Sequence, residues 1–344
     1  MPSVRSTKHR RGKRRGRKQT QRRYRTRQSK RSTGGGEFKH LTCSPLSEEY
    51  KHGNPVSPHT TCLPKKEILR AKEAWNKSNP TRKVQSTEPQ KIWKEIQTNL
   101  DGVCSDDLCI LNQPFMKNHR TTNSSSTTTA SGSSSSGGKE VSDMKDYYAP
   151  KMPKEWKKNP TEWLSNIEIL EKMKQYEEAY KCFEFIGPTP IDFDKVLSGN
   201  QCVENELCKF QLSTYLKNGT KKIGIIFNTD PHDKGGSHWI SMFINIPKKI
   251  IFFFDSAGDE APPEIMTFVK KVQQQGLELS RQIEFKFDQN YPNEHQYSTT
   301  ECGMYSLYFI INMLEDKLTT KYLKSHIIPD QQMIDYRKKY FNDI

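Results

Sequence analysis

A cysteine attacks carbon only as its thiolate, and few positions in a chain favour that anion. Cys302, within Thr300-Glu301-Cys302-Gly303-Met304, occupies one of them. It opens an apolar run in which Met304, Leu307, Tyr308, Ile311 and Leu314 recur at three- and four-residue steps, the period of a helix buried along one face. The first turn of such a helix presents unpaired N–H groups and the positive end of the macrodipole. Gln296 lies six residues upstream, and the other seven cysteines lack this flank. A cysteine taken alone is more often a small buried hydrophobe, so the assignment needs partners.

A base and an orienting acid are supplied by one hairpin. Residues 239–246 are rich in strand formers, Pro247-Lys248-Lys249 reads as a turn, and residues 250–254 form a second strand that ends at Asp255. Folding about that turn brings His238 and Asp255 opposite or diagonal to one another, within about two residues of register. A carboxylate beside an imidazole fixes its tautomer and stabilises the imidazolium formed when a thiol gives up its proton. Either residue alone reads better as a strand cap or a turn residue. Together, upstream of a helix-opening cysteine, they suit a cysteine peptidase.

In order and spacing these residues resemble the SUMO-deconjugating and adenovirus-type cysteine proteases: His238-Trp239 entering a strand, a strand ending in Asp255-Ser256, then Gln296, then Cys302-Gly303. The resemblance implies a papain-like α+β core with permuted catalytic order. It makes Cys302 the nucleophile, His238 the general base and acid, Asp255 the orienter and Gln296 a donor to the oxyanion. The residue before the nucleophile, usually Asp in that family, is Glu301 here. Trp163-Leu164-Ser165-Asn166, opening a helix through about Tyr180, is similar to the family's Trp-Leu-x-Asp/Asn helix start. By that likeness Trp163 and Trp239 wall a narrow substrate slot. Two indole faces admit only backbone without a Cβ, which is the requirement for Gly-Gly beside the scissile bond. The competing reading is a pair of core tryptophans.

The elements that must position these residues lie in residues 143–344. Besides the hairpin and the two helices named above, the pattern predicts a strand at 223–227, a helix near 264–275 and an alternating strand at 283–287. Residues 188–193, with two prolines, read as a rigid irregular connection. Mixed strands and helices in this order argue α+β.

Charge divides the remainder. The first 36 residues hold 15 Lys or Arg and no Asp or Glu, which leaves 40 of each sign in the rest of the chain. Residues 1–36 are therefore expected to be a disordered basic tail. Its centre, Arg10, Arg11, Lys13, Arg14, Arg15, Arg17 and Lys18, suits nucleic-acid phosphates without sequence readout. Nuclear import is the rival use. Residues 37–117 read as a small helical accessory module, with one helix through 65–78 and another beginning at Thr87-Glu88-Pro89-Gln90, expected to dock on the core. Similar arms precede the protease core in proteins of large DNA viruses. Residues 118–142, nearly pure Ser, Thr and Gly at their centre, read as a linker.

No apolar stretch approaches the roughly 20 residues of a membrane span, so no membrane partner is expected. A thiolate enzyme needs reducing surroundings, and all eight cysteines are accordingly read as free thiols in a soluble, intracellular protein. No cofactor or metal is called for, since Cys104 with Cys109 and Cys202 with Cys208 are spaced too widely for zinc knuckles.

The favoured function is an endopeptidase that matures viral structural polyproteins at Gly-Gly-x sites, placed in the virion and the host cytoplasm, or in the nucleus if the tail directs import. Deconjugation of ubiquitin-like modifiers, which also end in Gly-Gly, is the first alternative. A non-catalytic nucleic-acid-binding structural protein is the second. Gly34-Gly35-Gly36 and Gly137-Gly138 are candidate self-cleavage sites on the same reading.

Overall fold

A computed structural model describes residues 38–51, 61–117 and 143–344. The basic tail with its candidate nucleic-acid contacts, the linker and both glycine runs lie outside the described residues.

The sheet has five strands in the order β1 (Phe183–Pro190), β2 (Lys222–Asn228), β3 (Trp239–Asn245), β4 (Ile250–Phe254), β5 (Lys286–Gln289). The outer pairs β1–β2 and β4–β5 are parallel and the inner pairs antiparallel. Alternation along each strand feeds two apolar layers. Phe243 and Phe252 face one side, against α4 (Asn166–Ala179), α6 (Cys302–Leu314) and α7 (Asp330–Tyr340). Met242, Ile244, Ile251 and Phe253 face the other, against α5 (Pro263–Glu278). All thirteen residues of α6 are buried, which explains a helix apolar on every side.

In the helical region before the core, α1 (Lys65–Ser78), α2 (Pro89–Asn99) and α3 (Asp107–Leu111) close over an apolar cluster of their own. At its centre Asp107 accepts hydrogen bonds from Trp93, Gln97 and Tyr148. Burial raises its carboxyl to about 6 against those donors. This region is tied to the core at several points. Asn342 Oδ1 accepts from the Thr42 amide at 2.8 Å, and the Tyr50 hydroxyl meets Tyr176 and Glu315, each at 2.8 Å.

Several expectations need correction. The strand read at 283–287 pairs only from Lys286 onward, because Ile283 and Phe285 instead bond back to α5 through Gly276 and Gln273. Part of the connection read at 188–193 belongs to β1, whose pairing shifts register between Ile186 and Thr189. The Trp163 helix starts three residues later than its motif, at Asn166, where Ser165 and Glu168 form a capping box. Six of the eight cysteines are paired as disulfides, Cys43–Cys62, Cys104–Cys109 and Cys202–Cys208, and only Cys182 and Cys302 are free. The redox poise of a compartment does not set geometry, and the fold brings each pair to Cα separations of 5.3, 5.4 and 6.2 Å. Among the described residues, no helix is long and apolar enough to cross a membrane.

Candidate active site

The hairpin brings His238 and Asp255 together. Antiparallel pairing of Ser241 with Phe254 extends to put His238 and Asp255 on a diagonal at the strand ends. His238 Nε2 lies 2.7 Å from Asp255 Oδ1, leaving Nδ1 for the Cys302 thiol. Burial pulls the His238 imidazole down in pKa. The hydrogen bond to Asp255, the contact with Cys302 and the negative charge on both outweigh it and raise the ring to about 10.

Cys302 is 2 % exposed and is the first residue of α6. Its helix differs from α4 at the N-terminus: no side chain caps it, so the first-turn N–H groups are not consumed by a Ser or Asp oxygen. Glu301, at the cap position, turns its carboxylate instead to Arg337 of α7, whose Nε donates to Oε2 at 2.9 Å. Both partners are buried, and the Arg337 guanidinium lies over the Trp156 ring at 4.5 Å. Its two terminal nitrogens are buried without a hydrogen-bond partner. Burial raises the Glu301 carboxyl in spite of Arg337.

Gln296 is held at its carbonyl end, where Ser256 Oγ donates to Oε1 at 2.7 Å. One amide hydrogen goes to the Ser298 carbonyl at 2.8 Å, and the second is left over. Asp330 fixes the loop that carries it, accepting from the amides of Tyr297 and Ser298 and from the hydroxyls of Ser298 and Tyr305. Neighbouring His295 accepts from the Ile328 amide at Nδ1 and donates from Nε2 to the Leu323 carbonyl. It is a neutral, fully buried brace.

Trp239 and Trp163 line one cleft. Trp239 Nε1 donates to the Leu164 carbonyl at 2.9 Å, fixing its indole against the segment that carries Trp163. Trp163 is 38 % exposed and Trp239 9 %, so the first is an open wall and the second a buried one. Gly303 packs against Trp239 and Leu164: a Cβ there would come within 2.9 Å of Leu164 Cβ and 3.2 Å of Trp239 Cδ1, so glycine lets the start of α6 approach this wall.

The sequence reading missed Asn290. Fully buried, it accepts from the Asp255 amide at 2.9 Å and donates to the Asp255 carbonyl at 2.7 Å, clamping that backbone on both sides. The Ala257 amide adds a bond to Asp255 Oδ1 at 2.8 Å. A lone Asn in a loop carries no spacing signal. Asn290→Ala is expected to lower kcat/KM about a hundredfold through misplacement of Asp255. The alkaline limb of the pH profile should also move down, since a looser carboxylate supports the imidazolium less. A rate loss with an unmoved limb would mark Asn290 as packing only.

Residues 215–344 match the model of the Ulp1 protease family, C-terminal catalytic domain, a span that includes His238, Asp255, Gln296 and Cys302. The chain is similar to a putative thiol protease of Acanthamoeba polyphaga mimivirus, 27% identical over 303 residues that make up 83% of this chain and 90% of that protein. It is also similar to a cysteine protease of African swine fever virus (strain Badajoz 1971 Vero-adapted), 24% identical over 264 residues, 73% of this chain and 89% of that protein. A crystal structure of the African swine fever virus protease shares the fold. It superposes with a TM-score of 0.57 at 20% identity, covering 88% of this chain and 98% of that one. The helical region ahead of an α+β peptidase core falls within that match, and residues 215–344 are similar to the catalytic domain of the Ulp1 protease family of cysteine proteases.

Proposed function

We propose that this protease is an endopeptidase that cuts at Gly-Gly-x sites and processes viral structural polyproteins, with Cys302 as nucleophile, His238 as acid and base, Asp255 as orienter and Gln296 as oxyanion donor. The observation that carries the reading is His238 held at 2.7 Å by Asp255, in contact with Cys302, beside a cleft walled by Trp163 and Trp239.

The thiolate of Cys302 attacks the scissile carbonyl, and the oxygen that gains charge meets the Cys302 backbone N–H and the spare amide hydrogen of Gln296. His238, already protonated, gives its proton to the departing amine. The neutral ring then takes a proton from the water that hydrolyses the thioester. Asp255 keeps Nε2 engaged throughout, so Nδ1 stays aimed at the sulfur. The similar proteins are thiol and cysteine proteases of viruses, which supports a viral setting, and polyprotein maturation and placement in the virion belong to the same proposal.

Purified protein should hydrolyse a free Gly-Gly-x peptide. Cutting of a ubiquitin-like modifier fused through Gly-Gly, with the free peptide untouched, would transfer the assignment to deconjugation. Trp239→Ala should widen the passage and cut the preference for Gly over Ala at the residue before the scissile bond by about tenfold. An unchanged preference would show that the indole is core packing.

A further inference from the structure

The cleft beside the catalytic pair, about 890 Å³, runs from the two tryptophans along the end of β1 and the loop after β2. Its ionisable lining is one-sided. Glu155, Glu162, Glu168 and Asp230 face it, against the single lysine Lys234. His232, which also lines it, is already held by Asp192 at 2.7 Å. Three of the four carboxylates are held in place: Asn159 donates to Glu162 at 2.8 Å, Ser165 binds Glu168 through its amide and hydroxyl, and Ser237 Oγ donates to Asp230 at 3.0 Å. Nearby Lys157 does not line the cleft and pairs with Asp343.

A second observation marks the same wall as a binding surface. Thr189, on β1 and 1 % exposed, lines the cleft, and its hydroxyl has no hydrogen-bond partner in the free protein. Buried hydroxyls are rarely left unpaired, and a peptide backbone laid along β1 would supply the missing bond. A substrate strand entering the slot with its Gly-Gly at Trp239 would therefore run its preceding residues past a wall with an excess of negative charge.

We propose that this cleft selects a basic side chain on the acyl side of the scissile bond, so that the favoured substrate is a Lys- or Arg-bearing segment that runs into Gly-Gly. The proposal rests on the Gly-Gly reading above. The chain itself contains such a segment, Lys30-Arg31-Ser32-Thr33-Gly34-Gly35-Gly36, whereas the pair Gly137-Gly138 follows the uncharged Ser133-Ser134-Ser135-Ser136, and the third pair, Gly235-Gly236, is part of the cleft wall. By this criterion the basic tail is a substrate of its own enzyme and the linker is a poor one.

The test uses the full chain and two peptides, one spanning residues 28–40 and the same peptide carrying Lys30→Ser and Arg31→Ser. At low salt the native peptide is expected to have a kcat/KM about fivefold or more higher, from several partly exposed charge pairs, and the ratio should fall toward unity at high salt. Glu155→Lys combined with Glu162→Lys should invert the ratio. Because a ratio between two peptides does not depend on the fraction of enzyme folded, a less stable variant still reports. Equal rates for both peptides in the unmodified enzyme would overturn the charge proposal and leave the Gly-Gly reading standing. If neither peptide is cut while a protein substrate is hydrolysed at sites without Gly-Gly, both fall.

Discussion

Replacement of Cys302 by Ala, or of His238 by Ala, is expected to reduce peptide hydrolysis by about 10⁵-fold or more, to the level left by binding alone, because the two groups act as one unit. Asp255→Asn should cost far less, about tenfold to a hundredfold, since a side-chain carbonyl can still accept from His238 Nε2 and hold Nδ1 toward the sulfur. What it removes is the negative charge that raises the ring to about 10. The proton donor needed for amine departure is lost as pH rises through that value, so the alkaline limb of kcat/KM should sit near pH 10 in the parent. It should move down in Asp255→Asn. Labelling with a thiol-directed active-site probe gives an independent check. Cys182 is the other free cysteine, and modification there with Cys302 untouched would end the assignment.

The second large effect is on stability. Arg337→Ala is expected to destabilise the fold by about 3–5 kcal/mol, because it leaves Glu301 buried and unpaired directly before the nucleophile. Burial already raises the Glu301 carboxyl with Arg337 in place. Without the guanidinium its folded-state pKa would stand further above the unfolded value, so folding would take up a proton and the deficit should shrink as pH falls through the carboxylate range. Glu301→Gln combined with Arg337→Met should recover much of the loss, since neither charge then needs a partner. Thermal unfolding at two pH values measures both. A melting temperature unchanged by Arg337→Ala would show that the pair contributes nothing.

What could be read from the sequence was whatever local pattern dictates. The 239–254 hairpin is legible because apolar alternation, a Pro-Lys turn and antiparallel pairing leave one workable register, and that register alone places His238 near Asp255. The α6 helix is legible from its period, and α1 from its single apolar face and the proline that follows it. The parts that escape depend on contacts distant in sequence. β1 is irregular and holds two prolines, and becomes a strand only because β2 pairs beside it. Asn290, Arg337 and the disulfide partners are ordinary residues until the fold brings them to Asp255, Glu301 and one another. The basic tail shows the converse case, where composition speaks clearly and the described residues do not reach.

The bonds between Thr42 and Asn342 join positions 300 residues apart, and Thr42 Oγ1 also donates to the Lys338 carbonyl, next to the arginine that pairs with Glu301. Closing so long a loop adds little free energy, since the entropic cost grows only with the logarithm of length, but contacts this distant form late. A ribosome making this chain emits the nucleophile before the residues that steady the turn in front of it. The order of synthesis therefore sets an order of contacts: the ion pair that holds Glu301, directly before Cys302, can form only after Arg337 has been made, and the tie from Thr42 only after Asn342.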